Sequence, residues 1–381
     1  MPGKRVAAIG VAVAALAAAS VTYAVSQHGS GGHSNGGSVA IVAPGPIHVE
    51  SITPATHAKG VNGAAPITVT FSGPMSDKTP DPVLSPSVPG TWTANGNSLM
   101  FMPSQAYSPS TKIELSVPAG AHGVRSASGG LLTTAVTEKF TTGDYSQLAL
   151  SETLANLGYL PLSFTPAATG TSSGASAGDA PASQTPAGMA FAPPAGSFTW
   201  DSGYPRHLHR LWSPDQANEV LAGAVMAFQS EHGMTIDGKL TARLWSKLFK
   251  AAASGERNQN GYTYAIASKS LPESLTIWHD GRKVFHSYAN TGIPVSPTVD
   301  GNFPVYERLP YQIMSGTNPD GSHYADPVSF VSYFNGGDAV HYFPRGSYGS
   351  EQSLGCVELP YSAAKRAYPY LTYGSLVSVI G

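Results

Sequence analysis

The sequence predicts a multidomain, mostly β protein: a β-sandwich, then a small three-helix bundle, then a mainly β domain that carries the chemistry. Three observations lead there. Short runs of alternating polar and apolar residues, bounded by Gly, Pro or Asn, recur across 44–143 and again after residue 262, the pattern of half-buried strands. Between these regions, apolar residues recur at helical spacing. The single cysteine, Cys356, stands near the end of the last unit, bracketed by Ser353, Leu354, Gly355 and Val357.

Composition sets the bounds. A chain of 381 residues can hold several cores of ordinary domain size. Net charge is −2 and charged residues make up 12%, which leaves no basic face for nucleic acid. One cysteine cannot form an intramolecular disulfide, and in an exported chain it marks a reactive thiol.

Lys4 and Arg5 precede an uncharged, Ala/Val-rich run, so residues 1–25 have the form of an export signal. The run is about 20 residues, enough to cross a bilayer as a retained anchor. Thr22-Tyr23-Ala24 equally offers a cleavage site. Either fate puts the protein in the cell envelope, membrane-associated or released. Residues 26–43 form a Gly/Ser/His-rich flexible linker, and its His28 and His33 have no partner at metal-ligand spacing.

Strands are expected at 67–71, 98–102, 112–117 and 136–141. The phrase from Ile67 to Met75, with Phe101-Met102-Pro103 and Phe140-Thr141-Thr142, resembles bacterial Ig-like domains of surface proteins. The resemblance implies a sandwich over 44–143, serving as a spacer or presenting a binding face.

The period then changes. Leu148, Leu150, Leu154 and Leu157 suit a short helix. Residues 167–188 are almost entirely Ala, Gly, Ser, Thr and Pro, a composition that buries no core and predicts a disordered insert. Ser213 as N-cap with Pro214 at the first position predicts the start of the next helix, and Thr241 caps a last one. Leu154-Ala155-Asn156-Leu157-Gly158-Tyr159-Leu160, with Ala224 to Gln229 and Gly233 to Gly238, resembles a three-helix peptidoglycan-binding domain over 146–250. Trp200, Tyr204, His207, His209 and Trp212 either close over that bundle or form a sugar-stacking surface.

In the last unit, strands are expected at 262–267, 274–278 and 284–289, with the turn at Asp280-Gly281. A thiol reacts as thiolate, and the upstream His341 could take its proton. On these residues alone a catalytic thiol and an inert, buried cysteine fit equally well.

Ser353-Leu354-Gly355-Cys356-Val357, together with Thr291-Gly292, Thr298, Gly301 and Phe303 and the run from Val328 to His341, resembles the L,D-transpeptidases with a YkuD-type catalytic domain. The resemblance covers 262–381. It implies acylation of Cys356 by a peptidoglycan stem peptide, with His341 as base, and cross-links between diamino-acid residues. It also implies a backbone carbonyl orienting that histidine, which Tyr342 can supply. From the residues themselves, the N–H groups of Gly355 and Cys356 are the oxyanion candidates, Ser353 and Tyr333 can line the pocket, and His323 is either part of a substrate lid or a solvated loop histidine. Carbapenems are implied inhibitors, and no metal or organic cofactor is implied. An L,D-carboxypeptidase using the same acyl-enzyme, or a non-catalytic wall-binding protein, is the alternative.

Three departures stand out. The family's histidine before Gly-Cys is Leu354, the Arg or Asn two residues after the cysteine is Glu358, and the loop from His341 to Ser353 is short. An inward-pointing Glu358 would raise the thiol pKa.

Overall fold

The computed structural model describes residues 44–167 and 182–381. The export signal and linker, 1–43, lie outside the described residues, as does most of the expected insert. No helix among the described residues is long and apolar enough to cross a membrane.

The first unit has seven strands: β1 (Val49–Thr53), β2 (Ile67–Phe71), β3 (Val83–Ser85), β4 (Gly90–Asn95), β5 (Ser98–Pro103), β6 (Lys112–Val117) and β7 (Val136–Thr141). They form one sheet in the order β1-β2-β5-β4 and a second in the order β3-β6-β7. The alternation in the sequence is realised directly: Ile67, Val69 and Phe71 are buried, while Thr68 and Thr70 between them are only half-buried. With Leu99, Ile113, Leu115 and Phe140 they make a core confined to this unit.

The helical unit contains α1 (Gln147–Asn156), α2 (Pro186–Phe191), α3 (Arg206–His209), α4 (Glu219–Glu231) and α5 (Ala242–Ser254). A two-stranded ribbon of β8 (Leu162–Pro166) and β9 (Gly196–Trp200) spans the insert. Two expectations are corrected here. The low-complexity stretch is not structureless to its end: Ala182–Gln184 is a 3-10 turn and α2 follows, because Thr185 caps Gly188 N–H, Pro186 sets the first turn, and Ala182 and Ala190 are buried. Ser213 does not start a helix. Asn218 is the N-cap of α4, its Oδ1 accepting from Leu221 N–H and its Nδ2 donating to the Ser213 carbonyl, which holds 213–217 as a loop. Thr241 does cap α5, and Gly255, in the left-handed region, ends it.

Gln229 explains why its phrase and the Asp237-Gly238 turn occur together. Its Oε1 accepts from the N–H of Asp237 and Gly238, and its Nε2 donates to Asp237 Oδ1.

The last unit contains two sheets. One runs β12-β11-β10-β18-β13, built from β10 (Thr263–Ser268), β11 (Ser274–His279), β12 (Arg282–Tyr288), β13 (Gly301–Pro304) and β18 (Leu376–Ile380). The other runs β14-β15-β16-β17, from β14 (Glu307–Thr317), β15 (His323–Asn335), β16 (Asp338–Tyr342) and β17 (Val357–Leu359). Helix α6 (Tyr361–Ala367) packs on β16. Asp280 and Gly281 both have positive φ, 47° and 73°, as a two-residue hairpin demands.

One face of the first sheet is shared with the helical unit. Tyr262, Tyr264 and Leu376 belong to the same buried cluster as Leu154, Phe228, Leu244 and Leu248. Polar contacts reinforce the seam: Tyr264 OH lies 2.7 Å from His207 Nδ1 and donates to Ser378 Oγ, which donates to Asn302. The opposite face contributes Ala265, Leu275, Ile277, Val377 and Val379 to a separate core with Val340, Val357 and Leu359 of the second sheet.

Candidate active site

His341 lies on β16 and Cys356 immediately precedes β17. The two strands are parallel neighbours, with Val340 opposite Val357 and His341 opposite Glu358. The sharp hairpin at Gly336 (φ 53°) between β15 and β16 turns the chain into this register. His341, Cys356, Tyr333, Leu354 and Asp338 line one cavity of about 590 Å³.

The turn that delivers Cys356 requires glycine at 355. Its φ is +120°, and a Cβ there would lie 2.3 Å from Asp338 Oδ1. Ser353 closes the turn from inside: its Oγ donates to the Cys356 carbonyl at 2.6 Å and accepts from Gly355 N–H at 3.2 Å. Two expectations change accordingly. Ser353 is 1% exposed and shapes the turn instead of facing substrate, and Gly355 N–H is engaged within the turn instead of pointing at an oxyanion.

His341 is buried, 3% exposed, and its Nδ1 lies 3.0 Å from the Tyr342 carbonyl oxygen. A carbonyl can only accept, so the proton sits on Nδ1 and Nε2 is the proton-accepting nitrogen. Burial lowers the imidazole pKa. Burial also pushes the Cys356 thiol up to about 12, with the Asp338 and Glu358 charges acting in the same direction and the Ala339 N–H against it. At neutral pH the site therefore holds a neutral thiol and a neutral imidazole, not a ready-made ion pair.

Glu358, the departure set against the thiol by sequence, is 4% exposed, and its charge does not stand alone. Arg345 donates to it twice, from Nε and Nη2, both at 2.8 Å. This two-bond pair balances the carboxylate's charge within the site. Nothing in the sequence joined the two residues, because Arg345 belongs to the loop after His341.

A second layer also escaped sequence reading. Glu273, fully buried, accepts from Thr291 N–H and Thr291 Oγ1 at 2.6 and 2.7 Å, and the Thr291 carbonyl accepts from Gln352 and Ser353 N–H. Asn290 exchanges backbone hydrogen bonds with Glu358 and accepts from Gly349 N–H through Oδ1. Thr291-Gly292 is thus the ledge on which the cysteine loop rests. Thr298 Oγ1 accepts from Gly292 N–H, and Ser296 Oγ donates to the Leu354 carbonyl.

Tyr333 lines the cavity and donates its hydroxyl to Gln312. His323 is exposed at the tip of the β14–β15 hairpin, where its Nδ1 lies 3.4 Å from Thr317 Oγ1; its neighbours Asn318, Pro319 and Tyr324 line the cavity and His323 itself does not. Among the described residues no group of three or more His, Cys, Asp and Glu side chains is placed to hold a metal ion.

Comparison with known proteins identifies the first and the last of these units. Residues 43–142 match the bacterial Ig-like domain family and residues 262–379 match the L,D-transpeptidase catalytic domain family. No curated protein matches. Among solved structures, the chain is similar to an L,D-transpeptidase from Mycobacterium smegmatis (15% identity, TM-score 0.30, covering 88% of this chain and 99% of that one). It is similar also to L,D-transpeptidase 3 from Mycobacterium tuberculosis in complex with a faropenem-derived adduct (15%, TM-score 0.30, 87% and 98%). A third likeness is to the catalytic domain of the E. faecium L,D-transpeptidase (26%, TM-score 0.29, 31% and 95%). With a seven-stranded sandwich ahead of it and Cys356, His341 and Leu354 lining one cavity, the last unit takes its name from the family model: the chain carries a bacterial Ig-like domain and a YkuD-type L,D-transpeptidase catalytic domain.

Proposed function

We propose that the protein is an exported peptidoglycan L,D-transpeptidase acting through a cysteinyl thioester. The observation that carries this reading is that Cys356 and His341 line the same cavity, with Nδ1–H bound to the Tyr342 carbonyl and Nε2 left as the base. Nε2 takes the thiol proton as the sulfur adds to the carbonyl joining a diamino acid to D-Ala. The C–N bond breaks and His341 returns the proton to the leaving amine of D-Ala. A side-chain amine of a second stem peptide then attacks the thioester, gives its proton to His341, and releases the thiolate, which is reprotonated. The product is a cross-link between two diamino-acid residues.

The Ig-like unit serves in this reading as a spacer, and the helical unit as a peptidoglycan-binding-like element. Mass spectrometry of the products separates transfer from hydrolysis by the same acyl-enzyme. Incubated with tetrapeptide stems, the protein is expected to yield cross-linked dimers. Tripeptide alone would identify an L,D-carboxypeptidase, and untouched tetrapeptide would contradict both.

A further inference from the structure

The Arg345–Glu358 pair lies outside the thiol and its base, yet it touches the apparatus around both. Glu358 is the in-register neighbour of His341 across the parallel strands, and both are buried. In-register neighbours on adjacent strands project to the same face of a sheet. Arg345 belongs to the loop that begins directly after Tyr342, the residue whose carbonyl holds His341 Nδ1. That loop is tied by Tyr348, whose hydroxyl donates to the Phe343 carbonyl at 2.6 Å and accepts from Arg345 N–H at 3.3 Å. The Arg345 guanidinium also lies over the Phe343 ring, 4.7 Å from its centroid.

We infer that the Arg345–Glu358 pair is a positioning device for the base: Arg345 fixes the loop that aims the Tyr342 carbonyl, and the Glu358 carboxylate offsets the charge His341 acquires when it takes the thiol proton. This rests on the reading of Cys356 and His341 given above. The chemistry asks for such a device. Moving a proton from a neutral thiol to a neutral, buried imidazole creates a positive charge out of contact with water, which a fixed neighbouring carboxylate offsets. An unpaired carboxylate in that place would oppose the thiolate as strongly as it favours the imidazolium. Arg345 limits the penalty and holds the carboxylate in one geometry. The charged and titratable groups sharing the cavity with the imidazole are Glu358 from β17, Arg345 from the following loop, Asp338 from its own strand, Tyr324, Asp326 and Tyr333 from β15, and the thiol; Glu358 and Arg345 act on it most directly.

The test uses the full chain with ¹⁵N-labelled histidine. The His341 ring titration is read by NMR, and acylation by a carbapenem is followed by intact mass across pH. Glu358→Gln keeps the shape and one hydrogen bond to Arg345; Arg345→Gln leaves the carboxylate without its partner; Arg345→Lys keeps the charge but loses the fork. The inference expects Glu358→Gln to move the His341 titration to lower pH and Arg345→Gln to move it to higher pH, with acylation at least tenfold slower in each. Arg345→Lys should titrate like the parent and lie between parent and Arg345→Gln in rate. Loss of rate with unmoved titrations, shifts in the same direction, or rates within about twofold of the parent would each overturn it. If the parent itself does not acylate, the proposed function fails, while the histidine titrations still report on the pair.

Discussion

At the scale of single residues, the site depends on proton placement. His341 starts neutral because burial lowers its pKa, so acylation should persist below the ordinary imidazole range and fall only at lower pH, where Nε2 is already protonated. The thiol starts protonated, so the rate should keep rising toward alkaline pH without a plateau near 8 or 9. A pH–rate profile of single-turnover acylation checks both limbs. The same shift has a stability sign. The folded state holds the Cys356 proton to about 12 against 9.0 for a free thiol, so this contribution is complete below pH 9 and is lost between pH 9 and 12. Cys356→Ser should be less sensitive than the parent to alkaline unfolding in that window, as measured by denaturant titration. Leu354 lines the cavity where the family carries histidine. Leu354→His should leave acylation unchanged or faster, whereas His341→Ala should abolish it almost as completely as Cys356→Ala; near-parent rates in His341→Ala would remove His341 from the mechanism.

At the scale of elements, the cysteine turn is the least tolerant piece. Gly355 combines positive φ with a Cβ position already occupied by the Asp338 carboxylate, so Gly355→Ala should cost at least 1–3 kcal/mol and displace the thiol. Thermal melting and acylation rate together check this, since a turn that merely relaxed would lower stability without slowing the thiol. Sequence reading located four of the seven sandwich strands closely, Ile67, Val69 and Phe71 for example alternating with threonines in the way a two-faced strand requires, and passed over β1, β3 and β4. The family resemblance singled out Cys356 and His341 and implied a carbonyl for the histidine, and the structure has both residues lining one cavity with the Tyr342 carbonyl 3.0 Å from Nδ1. Sequence reading could not see Arg345 meet Glu358 or Glu273 support Thr291, because such contacts are set by loop closure and carry no period. Ser353 was misdirected for a related reason. A serine beside a nucleophile looks substrate-facing in sequence, but here the side chain is buried and the tight turn takes its one donor and one of its two acceptor sites. The Ser213-Pro214 start signal lost to Asn218, which caps a helix and ties back its preceding loop at once.

At the scale of the whole molecule, two kinds of boundary emerge. The sandwich keeps its core to itself, whereas the helical unit and the catalytic sheet share one. Tyr264 and Leu376, both at 0% exposure, would lose cover if the helices were removed, each with about 1.5–3 kcal/mol of burial at stake. A chain lacking 44–143 should therefore retain a cooperative melt, and one lacking 146–250 should not; calorimetry of the two deletions checks this. Removal of 168–181 alone should leave acylation within about twofold, and a tenfold loss, about 1.4 kcal/mol of barrier, would tie that stretch to the site. The fold around the thiol matters only if the thiol is acylated. Intact-protein mass spectrometry after incubation with a tetrapeptide stem, followed by peptide mapping, measures this directly. The account predicts one acyl group per chain, on Cys356 and absent from Cys356→Ala. A parent protein that stays unmodified, or an adduct mapped to any other residue, would contradict it.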